Sequence, residues 1–174
     1  MRKGIILAIG GLLLLAGCDK GKKASDAPVE PKWKGEPYRI TFDTQATKPN
    51  PTGVTIPVVK FTANPEALES RAVLVVKFDA AALTKNSDNG PVMNQMVMGP
   101  VDIHGEEGTL PADYLDRASK DLSRFLGAYG AKGKISISVA LARSSLTSHP
   151  TDAELDAKRL SDWLPTEVEL KKKG

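Results

Sequence analysis

Lys134-Ile-Ser-Ile-Ser-Val-Ala-Leu-Ala-Arg143 is the stretch from which the fold is read. Ile135, Ile137, Val139 and Leu141 fall on one side of an extended chain, and Ser136, Ser138, Ala140 and Ala142 on the other. A period of two sustained over this length specifies a β-strand with an apolar face against a core. Just before it, Tyr114, Leu115, Ala118, Leu122, Phe125, Leu126 and Tyr129 recur at three- and four-residue spacing. That spacing predicts one apolar stripe on an α-helix, with Pro111 in its first turn and Gly127 or Gly130 at its end. Asp113 with Arg117 and Asp116 with Lys120 stand four apart, acid first, the order that supports a helix.

Upstream, Ala72 to Asp79 carries apolar residues on both faces at Val73 to Val76, as a central strand does. A strand, a long crossover containing a helix, and another strand predict a parallel pair with a right-handed connection. Tyr38, Ile40 and Phe42 alternate with Arg39, Thr41 and Asp43, the pattern of a half-exposed strand. Val54 to Thr62 reads as another, but Pro57 donates nothing to a ladder and the apolar phase slips after Val58, which marks an edge or a bulge. Between Ala80 and Thr109 the pattern weakens to short extended pieces at Met93 to Met98 and Val101 to His104, closed by Gly105-Glu106-Glu107-Gly108. Downstream, Thr151-Asp152-Ala153-Glu154 is a capping box that opens a second helix to Leu164, where Pro165 stops it. Thr166 to Leu170 follows as a last edge strand.

This order predicts an α+β fold: a two-layer sandwich with a mixed four- to five-stranded sheet and two helices on one face. Residues 35–174 form its single globular domain, and no internal repeat interrupts it. Ahead of it, residues 18–34 are rich in Lys, Ala, Pro, Ser and Gly without apolar periodicity and read as a flexible tether.

Residues 1–17 differ in kind. Arg2 and Lys3 precede a nearly unbroken apolar run from Ile5 to Leu15, and Leu15-Ala16-Gly17-Cys18 ends on the only cysteine of the 174 residues. About ten or eleven apolar residues suit a secretory signal peptide and fall short of a spanning helix. The segment resembles the lipobox of bacterial lipoproteins. That resemblance implies cleavage before Cys18 and acylation of Cys18, whose covalent lipid holds the chain on a bilayer, facing the periplasm. In enterobacterial lipoproteins an aspartate in the next position, here Asp19, is a signal for retention in the inner membrane, so the resemblance favours that membrane over the outer one.

The whole-chain charge of +3 belongs to the ends. Between Gly35 and Leu170 there are 14 basic and 18 acidic residues, about −4, while the tether and the C-terminal lysines carry the excess of cations. A nucleic-acid-binding body concentrates its basic groups on the folded face, so no nucleic acid is expected as partner.

Three methionines, Met93, Met96 and Met98, cluster in Met93-Asn94-Gln95-Met96-Val97-Met98. Thioethers are soft ligands for Cu(I) or Ag(I), with His104 close by as a harder donor, and they also fill irregular core gaps or make adaptable binding surfaces. Asp102, Glu106 and Glu107 extend the same region as an acidic loop, and with Met93, Met96 and Met98 they form the candidate partner-binding segment. His149 beside Ser148 has no nucleophile-elbow pattern around it. The glycines from Gly127 to Gly133 follow a helix rather than open one, the reverse of what a phosphate cradle needs.

With two histidines and one cysteine the usual catalytic inventory is thin, and neither an enzyme, a cofactor nor a small-molecule substrate is expected. The leading expectation is a lipid-anchored interaction module of the cell envelope that binds another protein, a component of an envelope complex or a secreted toxin. A compact body behind a lipidated tether is similar to the immunity proteins that neutralise such toxins. The alternative is a soft-metal-binding lipoprotein using the methionine cluster.

Overall fold

The computed structural model describes residues 35–79, 83 and 94–171. The alternation in Lys134 to Arg143 becomes the centre of a four-stranded sheet. Its strands are β3 (Arg71–Phe78), β4 (Gln95–Asp102), β6 (Gly133–Arg143) and β7 (Leu164–Leu170), in the order β4-β3-β6-β7. β1 (Tyr38–Asp43), β2 (Val58–Ala63) and β5 (Glu107–Thr109) form a second sheet in the order β1-β2-β5. Every paired strand in both sheets is antiparallel. The helices are α1 (Ala112–Ala128) and α2 (Asp152–Lys158), and a 3-10 turn spans Pro65–Ala67.

One core joins the two sheets to α1. Leu74 and Val76 of β3, Ile137 and Leu141 of β6, Val59 and Phe61 of β2, and Leu115, Leu122 and Leu126 of α1 are buried in it together. The helical stripe read from the sequence is thus the face that α1 buries. α1 ends where the chain turns left-handed at Gly130, with φ of 75°, and the Ala131 N–H returns to the Leu126 carbonyl at 2.9 Å.

The α+β class holds, and the arrangement within it departs from expectation in four respects. β3 and β6 are antiparallel, Ala72 facing Arg143 and Phe78 facing Ile137. The chain first descends along β4 beside β3, crosses to the other sheet as β5, and then climbs α1. Seventeen helical residues rise about 25 Å, close to the length of an eight-residue strand, so α1 undoes the descent and β6 enters from the far end. The excursion between β3 and β6 therefore supplies a second sheet instead of extending a mixed one. Second, the helices lie on opposite faces. Leu155 of α2 packs on Val73, Val75 and Ala142, the side of the four-stranded sheet turned away from α1. A strand apolar on both faces needs cover on both.

Third, α2 stops at Lys158, six residues before Leu164. Arg159 turns extended, with ψ of 135°, and bridges Ala142. The Leu160 N–H then donates to the Leu141 carbonyl at 2.8 Å, while the buried Ser161 Oγ accepts from the Leu141 N–H at 2.9 Å. These bonds to β6 replace those of another helical turn. Fourth, β2 begins only at Val58, and the residues before it are held by side chains: Ser123 Oγ accepts from the Val54 N–H at 2.7 Å and Ser119 Oγ from the Ile56 N–H at 2.9 Å. No helix among the described residues is long and apolar enough to cross a membrane.

Candidate interaction surface

Met96 and Met98 both turn into the core on folding. Met98 is 4% exposed and belongs to the core, and Met96 is half-buried against it on the same face of β4. Their thioethers fill space between the sheet and α1, the packing role of a flexible apolar side chain. His104 is exposed beyond the end of β4, about 20 Å from Met98 along an extended chain, so the strand does not bring imidazole and thioethers together. Met93, Cys18 and Asp19 lie outside the described residues.

Asp102, His104, Glu106 and Glu107 have a different setting. They line the tight connection from β4 to β5, all exposed, with Gly105 at φ of 78° making the bend. This connection lies alongside the loop from β2 to β3. The Ala63 N–H donates to the Glu106 carbonyl at 2.6 Å, and the Ile103 N–H to the Ser70 carbonyl at 3.0 Å. Two loops distant in sequence are thereby fastened side by side at one end of the molecule.

The second loop carries what sequence reasoning passed over. Leu68 is 48% exposed, alone among the large apolar side chains of the described residues. Its loop is held on both sides. Asn64 Oδ1 accepts from the Glu66 N–H at 3.1 Å, and the Ala67 N–H returns to the Asn64 carbonyl at 2.9 Å. On the other flank the Tyr38 hydroxyl accepts from the Glu69 N–H at 2.8 Å and donates to the Glu69 carbonyl at 3.1 Å. Burial of its ring is the main reason the Tyr38 hydroxyl titrates above its ordinary value, so it stays protonated and able to donate. Leu68 is the only large apolar residue in the polar run Asn64 to Ser70, and that was the available signal.

The end is acidic. Glu69 pairs with Arg143 at 3.1 Å and Asp102 with Arg71 at 3.4 Å, while Glu66, Glu106 and Glu107 have no ion-pair partner among the described residues. The two fastened loops and the strand ends beside them thus carry five carboxylates, with Arg71 and Arg143 each paired to one of them and Arg39 two strands across from Glu107 on the same sheet face.

Elsewhere, a shallow hollow of about 500 Å³ lies on the part of the four-stranded sheet that α2 leaves bare, lined by Lys77, Asp79, Ser136, Ser138 and Glu167 among others. Lys77 Nζ sits 5.8 Å from the centre of the Trp163 ring and 3.6 Å from Asp152. Polar residues alternating outward are what a solvated sheet face shows. Among the described residues no group of three or more His, Cys, Asp or Glu side chains is placed to hold a metal ion.

The fold and this surface define a small α+β domain of two antiparallel sheets that presents a clamped apolar side chain in an acidic setting. No family model, curated protein or solved structure matches the chain.

Proposed function

We propose that this chain is a lipid-anchored interaction module of the cell envelope that acts by binding another protein. The partner is a component of an envelope complex or a secreted toxin, as for an immunity protein. The observation that carries the binding role is Leu68, an apolar side chain 48% exposed on a loop whose backbone is bonded on both flanks. A surface arranged before its partner arrives loses little conformational entropy on binding, which favours recognition.

The address rests on Leu15-Ala16-Gly17-Cys18 and the charges around it. Acyl chains on Cys18 hold the protein to the membrane at about 0.8 kcal/mol per buried CH₂, and more than one chain makes the anchorage stable. The tether that follows gives the domain room to work away from the headgroups, on the periplasmic side and with Asp19 favouring the inner membrane. Binding needs no cofactor and no small-molecule substrate.

Mass spectrometry of the full chain expressed in bacteria tests the anchor. An acylated Cys18 at the mature N-terminus, lost in Cys18→Ala together with membrane association, is the expected result. An unmodified thiol on protein that floats away from membranes overturns it. Cross-linking in intact cells tests the binding role: a discrete adduct between this chain and another protein is expected, and its absence across reactive positions on opposite ends of the domain refutes it.

A further inference from the structure

The chemistry of the partner follows from what surrounds Leu68. A half-exposed apolar side chain on a backbone-bonded loop suits a complementary apolar socket. Three carboxylates without an ion-pair partner among the described residues, Glu66, Glu106 and Glu107, set the charge of the socket's rim. The backbone bonds Ala63 to Glu106 and Ser70 to Ile103 hold these groups in one place, so the charges and the apolar anchor belong to a single surface. Resting on the protein-binding reading, we propose that Leu68 anchors a docking surface for a separate basic protein, one that offers an apolar socket to Leu68 and lysine or arginine side chains to Glu66, Glu106 and Glu107.

Charge selects this occupant over two others. An anionic bilayer repels the carboxylates carried by Leu68's loop and the loop fastened beside it. A second copy docking through the same end brings like charges together, which opposes association. A basic protein gains on both counts: long-range attraction speeds encounter, and burial of the anchor slows departure.

A benzophenone photoprobe introduced at position 68 of the full-length lipidated chain, and separately at Lys132, tests the assignment in intact cells. Lys132 is exposed just ahead of β6, and the clamped loops lie at the other end of that strand. The expected result is an adduct from position 68 to one protein, mapping to an apolar patch flanked by lysine or arginine. Binding of that purified protein to the unlabelled chain is expected to fall about ten- to a hundredfold in Leu68→Ser. A combined Glu66→Gln, Glu106→Gln, Glu107→Gln variant is expected to slow association and flatten its salt dependence. All the substituted side chains are exposed, and an unchanged unfolding midpoint verifies that each variant folds. An adduct to lipid, to a second copy or to an acidic surface, or binding that survives both variants, overturns the assignment. An adduct from position 132 alone overturns it while leaving protein binding intact, and no adduct from either position refutes protein binding itself.

Discussion

The Tyr114 hydroxyl stands in for a backbone partner that Leu74 lacks. It accepts from the buried Leu74 N–H at 3.1 Å and donates to the Gly99 carbonyl at 2.8 Å, across the register shift that interrupts the β3–β4 ladder between Val73 and Val75. A side chain of α1 therefore closes the gap that a bulge opens in the sheet.

Tyr114→Phe keeps the ring and removes the bridge. A buried N–H left without an acceptor costs about 1–3 kcal/mol, so the variant is expected to unfold at lower denaturant with an unchanged slope. Hydrogen exchange at the Leu74 amide is expected to quicken more than at Val76, which sits in regular pairing with Met96.

The same hydroxyl gives stability a dependence on alkaline pH. Burial pushes the Tyr114 pKa from its ordinary 10.0 up to about 12. Because the folded value lies above the unfolded one, the contribution is complete below pH 10 and is lost as pH rises toward 12. The stability difference between wild type and Tyr114→Phe is expected to shrink across that window. A difference constant with pH excludes the phenol as its source.

The pattern of α1 was legible because helical periodicity is local: Tyr114, Leu115, Ala118, Leu122 and Leu126 are all buried. So was the capping box, where Thr151 Oγ1 accepts from the Glu154 N–H at 3.2 Å. Strand direction was not legible, because it depends on how many times the chain reverses. β5 contributes only Glu107, Gly108 and Thr109, with no apolar periodicity, and pairs with β2 more than forty residues earlier. The candidate surface was half legible for the same reason. Asp102, Glu106 and Glu107 are neighbours in sequence, but Leu68 joins them only through backbone bonds between distant loops.

Ser119 is a further joint between α1 and the segment ahead of β2. Its buried hydroxyl is the acceptor for the Ile56 N–H, and Ser123 serves Val54 one turn on. Ser119→Ala is expected to cost about 1–3 kcal/mol by leaving the Ile56 amide unpaired. Exchange at the Ile56 amide reports it directly, and an unchanged rate refutes the joint.

Gly108 makes room for Phe61. A Cβ built there would stand 2.8 Å from Phe61 Cζ and 3.1 Å from its Cε1, so the ring has to move for any larger residue. Phe61 is 5% exposed and touches Tyr38 edge-on, at 6.1 Å between ring centres. Gly108→Ala is expected to destabilise by about 1–3 kcal/mol, the usual cost of overfilling a packed site. Aromatic chemical shifts of Phe61 and Tyr38 are expected to change together; a silent spectrum shows that the ring yields without cost.

Glu154 contributes to the acid limb of stability. Its carboxylate accepts from Lys158 Nζ at 3.1 Å and from the Thr147 hydroxyl at 3.0 Å, tying α2 to the loop after β6. The hydrogen bond from Lys158, then that from Thr147, holds its pKa below the ordinary 4.5. With the folded value depressed, stabilisation is present above pH 4.5 and is lost as pH falls through the folded pKa. Glu154→Gln is therefore expected to be less stable than wild type at neutral pH, and the two are expected to converge in acid. Urea midpoints measured on both proteins from neutral pH downward check this. If the gap stays constant throughout, Glu154 acts through packing and not through its charge.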